Sequence, residues 1–236
     1  MDHRSYGTKG LHADILNELG RAIVANIYPE GEVLPREVEL QEKFDASRQT
    51  VREAIRVLTA KGMVYARKRA GTFVTTKANW NFLDPDILAW HEKGTLPASL
   101  LRDIVEMRRL IEPSAAQFAA ERGDDKEIAR IGAALERMHI NVDQSDHFYE
   151  ADIEFHMSIF EASGNTLIDR MSTILRPLLE ASFRIQSSAN EERGLDDGYD
   201  VHRAVFDAIA RRDGPNAKLR MELLLDRAVT EVYAKR

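Results

Sequence analysis

Apolar residues recur every fourth position through Leu11, Ile15, Leu19, Ile23 and Ile27, and this spacing predicts a helix over residues 10–28. YPEG then turns the chain, LP follows, and a short helix carrying Val38, Leu40 and Phe44 is expected over 36–44. After the brief connection DAS, Ser47 is suited to cap a third helix, SRQTVREAIRVLTAKG. Its inward stripe is Val51, Ala54, Ile55 and Leu58, and Gly62 ends it. The pattern then changes: Val64, Phe73 and Val74 favour strand, with RKRAG as the tip of a hairpin. The order is three helices and a two-stranded wing. From residue 98 onward the periodicity is helical, with helices expected near 98–121, 125–141, 145–162, 165–187, 197–211 and 215–234. Six helices joined by short connections imply an antiparallel bundle. The chain therefore reads as mainly α: an N-terminal winged helix-turn-helix over 1–77, a linker over 78–97, and an all-α helical bundle over 98–236. Trp80, Phe82, Leu83 and Trp90 give the linker enough apolar surface to dock rather than dangle, although Pro85, Gly94 and Pro97 break it.

Composition narrows the setting. The 236 residues include no cysteine, which excludes disulfides and thiolate metal sites and fits a cytoplasmic protein. No apolar run approaches the roughly 18–20 residues of a membrane helix, and the charged start lacks a signal core, so neither membrane nor export is expected. The net charge of −6 hides an asymmetry: residues 1–79 hold 13 Lys/Arg against 10 Asp/Glu, and residues 80–236 hold 20 against 29. Within 46–78 the count is 8 basic to 1 acidic, and phosphate is the commonest partner of such a block.

The second helix of a helix-turn-helix enters the major groove with its N-terminal residues at the base edges. Here those are Ser47, Arg48, Gln49, Thr50 and Arg52. Arginine addresses guanine bidentately, glutamine addresses adenine, and threonine meets a phosphate or a thymine methyl. Arg67, Lys68 and Arg69 at the wing tip are placed for phosphate or the minor groove, and Arg36 for the backbone. The blander alternative is a small helical domain with a solvated basic face.

Inward polar residues mark candidate sites in the bundle. Arg108 interrupts the stripe Leu101, Ile104, Ile111 and needs an anionic partner: Glu112 one turn away, or a ligand carboxylate. Arg102 is a second candidate that solvent would also explain. DIEFH places Asp152 and His156 on one helix face, and His202 lies inward beside Val205 and Ile209, where a satisfied core histidine is the commoner outcome. If His202 meets DIEFH in space, Asp152, His156 and His202 could hold a metal with an open coordination position, which admits a metal-dependent enzyme as the rival to a DNA-binding regulator. An i,i+4 carboxylate–imidazole contact with no further role is the third possibility.

The segment LPREVELQEKFDASRQTVREAIRVLTAKGMVYARKRAGTFV resembles the winged helix-turn-helix of the GntR superfamily. MRRLIEP, DIEFH, EASGN and VHRAVFDAI resemble the ligand-binding FCD domain of its FadR-type branch, and WNFLDPDILAWH is similar to the link of galactonate-type and other sugar-acid repressors. The resemblance implies DNA contacts at Arg36, Arg48, Thr50, Arg52, Arg69 and Gly71, with Gln49 at a variable position. It also implies a homodimer on a palindromic operator in double-stranded DNA, and a small carboxylate effector held by Arg108. In the family an Asp and a His one turn apart bind a metal with two further histidines. Asp152, His156 and His202 fill three of these positions, and the fourth falls at or near Leu224, which cannot bind a metal. A three-ligand site for a divalent ion such as Zn²⁺ is the favoured expectation; direct hydrogen bonding of the effector by the same residues is the other.

Overall fold

The computed structural model describes residues 10–91, 96–141, 144–187 and 196–233. The chain divides into two compact units at Glu92. In the first unit, α1 (Leu11–Val24), α2 (Glu37–Phe44) and α3 (Arg48–Ala60) precede a hairpin of β1 (Val64–Arg67) and β2 (Gly71–Val74). Ser47 caps α3 as its sequence suggests, its Oγ accepting from the Thr50 amide at 3.1 Å. Gly62 stops that helix in a left-handed conformation (φ 76°), and a side chain there would meet the Asn79 carbonyl oxygen at 2.0 Å. The hairpin pairs Val64 with Val74 and Arg67 with Gly71, so Lys68, Arg69 and Ala70 form the tip.

Three details depart from expectation. The first helix ends at Val24 instead of 28, because Asn26 turns left-handed (φ 61°), which leaves Ile27 68% exposed. Its buried stripe is thus Ile15, Leu19 and Ile23 without Leu11 or Ile27, and Val38 of α2 also faces solvent. Residues 31–34 supply a further edge to the wing: Leu34 donates to the Thr72 carbonyl at 2.8 Å and Val74 to that of Glu32 at 2.9 Å.

The third departure concerns the segment read as a linker. A 3-10 turn (Lys77–Asn79) leads into α4 (Pro85–Trp90), capped by Asp84 and packed on the first unit. Lys61, only 3% exposed, places Nζ 2.7 Å from both Asp84 carboxylate oxygens and from Asp86 Oδ2. Trp90 donates from Nε1 to Asn17 Oδ1 at 2.8 Å, and Ile87, Trp80 and Trp90 join the same core as Ile15, Val51 and Leu58. A buried ammonium needs such partners, so the lysine and two aspartates tie α4 down. The expected boundary at 77 gives way to one at Glu92.

The second unit comprises α5 (Ala98–Arg122), α6 (Asp125–Ile140), α7 (Ser145–Ala162), α8 (Thr166–Ser187), α9 (Asp196–Ala210) and α10 (Gly214–Tyr233), close to the six helices that periodicity predicts. Asp124 and Glu127 form a reciprocal capping box at the start of α6, with both bonds at 2.8 Å. Helix α5 is central, packing on α7, α9 and α10, and its alanines 115, 116, 119 and 120 are fully buried. Among the described residues no helix is long and apolar enough to cross a membrane.

Candidate functional site

The two units each present one candidate site. In the first, the N-terminal turn of α3 stands out from the unit: Arg48, Gln49 and Arg52 are exposed and Thr50 is half-buried. Between α3 and the wing runs an open groove of about 730 Å³, lined by Arg48, Gln49, Arg52 and Arg56 on one side and Ala66 and Thr72 on the other. Arg36 is exposed at the start of α2, and Lys68, Arg69 and Gly71 lie exposed at the wing tip, where Arg69 is held left-handed (φ 64°). The sequence-selected basic residues thus lie exposed on α3 and the wing, with Arg36 at the start of α2. The structure adds Glu37, whose carboxylate lies 3.3 Å from Arg48 Nε and 3.6 Å from Arg52 Nε. Nothing in linear spacing joins residue 37 to 48 and 52; the helix-turn-helix packing does.

In the second unit, three helices each contribute a pair one turn apart. Helix α5 carries Arg108 and Glu112, α7 carries Asp152 and His156, and α9 carries Gly198 and His202. Because α5 packs on both α7 and α9, the pairs converge in the interior. Arg108, Glu112, Asp152, His156 and His202 are all buried. His202 Nε2 lies 2.9 Å and His156 Nε2 3.2 Å from Asp152 Oδ1, and the two imidazole nitrogens are 3.4 Å apart. The other nitrogen of each ring points away: His202 Nδ1 is 2.6 Å from the Gly198 carbonyl oxygen and His156 Nδ1 is 2.7 Å from Glu112 Oε2. Arg108 bridges the groups, donating from Nε to Glu112 Oε1 at 2.6 Å, with its NH2 3.2 Å from His156 Nε2. Phe155 walls the cluster, its ring edge-on to both imidazoles.

This geometry fits a metal ion. Nitrogen and oxygen ligands at about 2.0–2.1 Å in a tetrahedron stand roughly 3.3–3.4 Å from one another. The observed triangle of 2.9, 3.2 and 3.4 Å is close to one face of it. Asp152 Oδ1 is buried without a well-aligned hydrogen bond despite its short contacts, as expected where lone pairs point at a common centre. The anchored Nδ1 of His202 fixes the tautomer that offers Nε2.

The buried charges offset one another. Burial alone would raise the Glu112 carboxyl, but the charges of Arg108 and then His156 outweigh it and hold the pKa at about 2. Burial also opposes ionisation of Asp152, yet His202 and His156 keep it well below the usual carboxylate range. Burial would lower His156, and the Glu112 and Asp152 carboxylates instead push it up to about 9. The Arg108 charge and a proton on His156 thus balance the two carboxylates. On a protonated ring Nε2 cannot accept, so the 3.2 Å approach of Arg108 is a hydrogen bond only when His156 is neutral. Arg102, in contrast, is half-buried and makes no ion pair or hydrogen bond among the described residues.

Comparison with known proteins covers both units. Residues 11–74 match the bacterial regulatory proteins of the gntR family, and residues 103–227 match the FCD domain. The galactonate operon transcriptional repressor of Escherichia coli K12 is 34% identical over 204 residues, spanning 86% of this chain and 89% of that protein. The HTH-type transcriptional repressor NanR of Salmonella newport is 28% identical, spanning 92% and 83%. Among solved structures, Lar, which controls expression of the Listeria monocytogenes agr system, superposes with a TM-score of 0.67 at 16% identity, covering 98% of this chain and 100% of that one. A GntR family regulator from Pseudomonas syringae pv. tomato gives 0.52 at 21%, covering 95% and 85%. These two likenesses concern the fold alone. The N-terminal match is to a family of regulatory proteins, and both relatives named are transcriptional repressors. The chain belongs to the GntR family of bacterial regulatory proteins, with an FCD domain as its second unit, and is a DNA-binding transcriptional regulator.

Proposed function

We propose that the protein is a homodimeric repressor that reads a palindromic operator and is released by a small carboxylate of the sugar-acid class. Arg48, Gln49, Thr50 and Arg52 address base edges and adjoining phosphates, while Arg36, Lys68, Arg69 and the Gly71 backbone hold the DNA backbone. Two-fold proteins read two-fold sites, because one helix spans too few base pairs for specificity. Arg108 takes the effector's carboxylate, and Asp152, His156 and His202 hold a divalent ion such as Zn²⁺ that supplies a Lewis-acid contact for its oxygens. The carrying observation is the convergence of a buried arginine on a buried Asp/His/His trio, with Arg108 NH2 3.2 Å from His156 Nε2. Arg108 is already paired with Glu112, and its Nη2 reaches past that pair to His156, in contact with His202, where a ligand carboxylate would join them. The sugar acid is suggested by the galactonate operon repressor, which is similar over most of both chains.

The experiment is a mobility shift with the purified chain and its own promoter fragment, titrated with galactonate and gluconate in the presence and absence of a chelator. Retardation relieved by one of these acids, and relieved less when the metal is stripped, is expected. Retardation that neither acid disturbs removes the sugar-acid assignment. Relief that is indifferent to the chelator removes the metal and leaves Asp152, His156 and His202 bonding the effector directly.

A further inference from the structure

We propose that Glu112 is a positioning residue of the sensor site, setting both the metal-binding histidine and the effector-binding arginine through its two carboxylate oxygens. The proposal rests on the metal reading of Asp152, His156 and His202. A glutamate whose only task was to neutralise Arg108 would form a two-pronged pair, with both oxygens near 2.7–2.9 Å from guanidinium nitrogens. Glu112 does otherwise. Its pair with Arg108 is lopsided: Oε1 accepts from Arg108 Nε at 2.6 Å, and Oε2 accepts only a long bond from Nη2 at 3.5 Å. That second oxygen lies 2.7 Å from His156 Nδ1, on another helix, a charge contact in which the ring N–H is not aligned on the oxygen. Glu112 is 1% exposed, so water does not compete for either contact.

The two histidines are thus anchored unequally. His202 leans on a neutral carbonyl of its own helix, Gly198, at 2.6 Å. His156 leans on a buried carboxylate that belongs to the helix bearing Arg108. A carboxylate behind an imidazole keeps Nδ1 protonated, aims Nε2 at the cation and makes that nitrogen the better donor. Because the other oxygen holds Arg108, a shift of the imidazole is felt by the guanidinium through one rigid group. In this arrangement the arginine and the histidine are two arms of one carboxylate.

The test is Zn²⁺ affinity of the full chain, measured by competition with a chromogenic chelator, for the wild type, Glu112→Gln and Glu112→Asp. Gln keeps the size and an acceptor for Arg108 but loses the charge behind His156. Wild type is expected to bind Zn²⁺ stoichiometrically, Glu112→Gln on the order of ten- to a hundred-fold more weakly, and Glu112→Asp in between. Equal affinity in wild type and Glu112→Gln overturns this inference and leaves the metal site standing. Absence of Zn²⁺ binding by the wild type overturns the metal site and this inference with it. Should the glutamine variant fail to fold, the wild type decides. With Zn²⁺ bound, its His156 Nδ1 must show a slowly exchanging, hydrogen-bonded proton by nuclear magnetic resonance, assigned by its loss in His156→Ala. A rapidly exchanging Nδ1 proton overturns the role of Glu112.

Discussion

Single residues differ here in how firmly the free protein holds them. Arg48 and Arg52 keep 71% and 64% of their side-chain surface exposed, and their contacts with Glu37 are long. Exposed pairs of this kind contribute about 0–1 kcal/mol and exchange readily for a phosphate or a guanine edge. Arg48→Ala and Arg52→Ala should each weaken operator binding by about 1–3 kcal/mol in a mobility-shift titration while the circular dichroism spectrum is unchanged. Replacing Lys68 and Arg69 should weaken binding to all sequences and flatten its salt dependence. Unchanged operator affinity in both arginine variants would sink the recognition-helix assignment. The buried residues were less legible. Sequence spacing exposes contacts within one helix, so Arg108 with Glu112 and Asp152 with His156 stand out as i,i+4 pairs. That Glu112 also meets His156 depends on how α5 lies against α7, and no periodicity encodes it. The alternatives of a partner glutamate or a ligand for Arg108 are not exclusive once Glu112 divides its oxygens.

Among the elements, those with a strong local signal were readable and those defined by docking were not. Ser47 and Gly62 act on the backbone beside them, so the sequence marks them directly. The end of α1 depends on a left-handed Asn26 whose apolar neighbour Ile27 continues the stripe, and the pattern overshoots. Residues 31–34 find their partner β2 far along the chain, which short-range reading does not detect. Helix α4 is the clearest case: two prolines and a glycine suggest a linker, while Lys61, Asn17 and Gly20 on other elements supply its seat. A Cβ at position 20 would lie 2.5 Å from the Trp90 ring, inside van der Waals contact. Gly20→Ala should therefore displace the indole and cost the first unit about 1–3 kcal/mol. The checks are a lowered melting temperature and a red-shifted tryptophan emission, with Zn²⁺ binding by the second unit unaffected. A melting temperature equal to wild type would show that α4 is not seated on α1 as described.

For the whole molecule, regulation requires that the effector bind one of two states more tightly than the other, since equal affinity shifts nothing. The charge distribution suits the proposed division of labour: the basic block sits on α3 and the wing, and the acidic balance lies in the second unit. Arg108 belongs wholly to the second unit, so its removal should separate the two activities. Arg108→Ala is expected to retard the promoter fragment as wild type does but to withstand galactonate, behaving as a super-repressor, because the charge-assisted partner of the carboxylate is gone. It also leaves Glu112 without its arginine in a buried setting, which costs stability on the order of 3–5 kcal/mol. Arg108→Lys is the control for that loss. It restores a cation beside Glu112 without the planar fork, so it should fold better than Arg108→Ala and still release poorly. If Arg108→Ala remains folded and leaves DNA at the wild-type galactonate concentration, the guanidinium is no part of the effector's seat, and its whole role is to complete the Glu112–His156 network that holds α5 against α7.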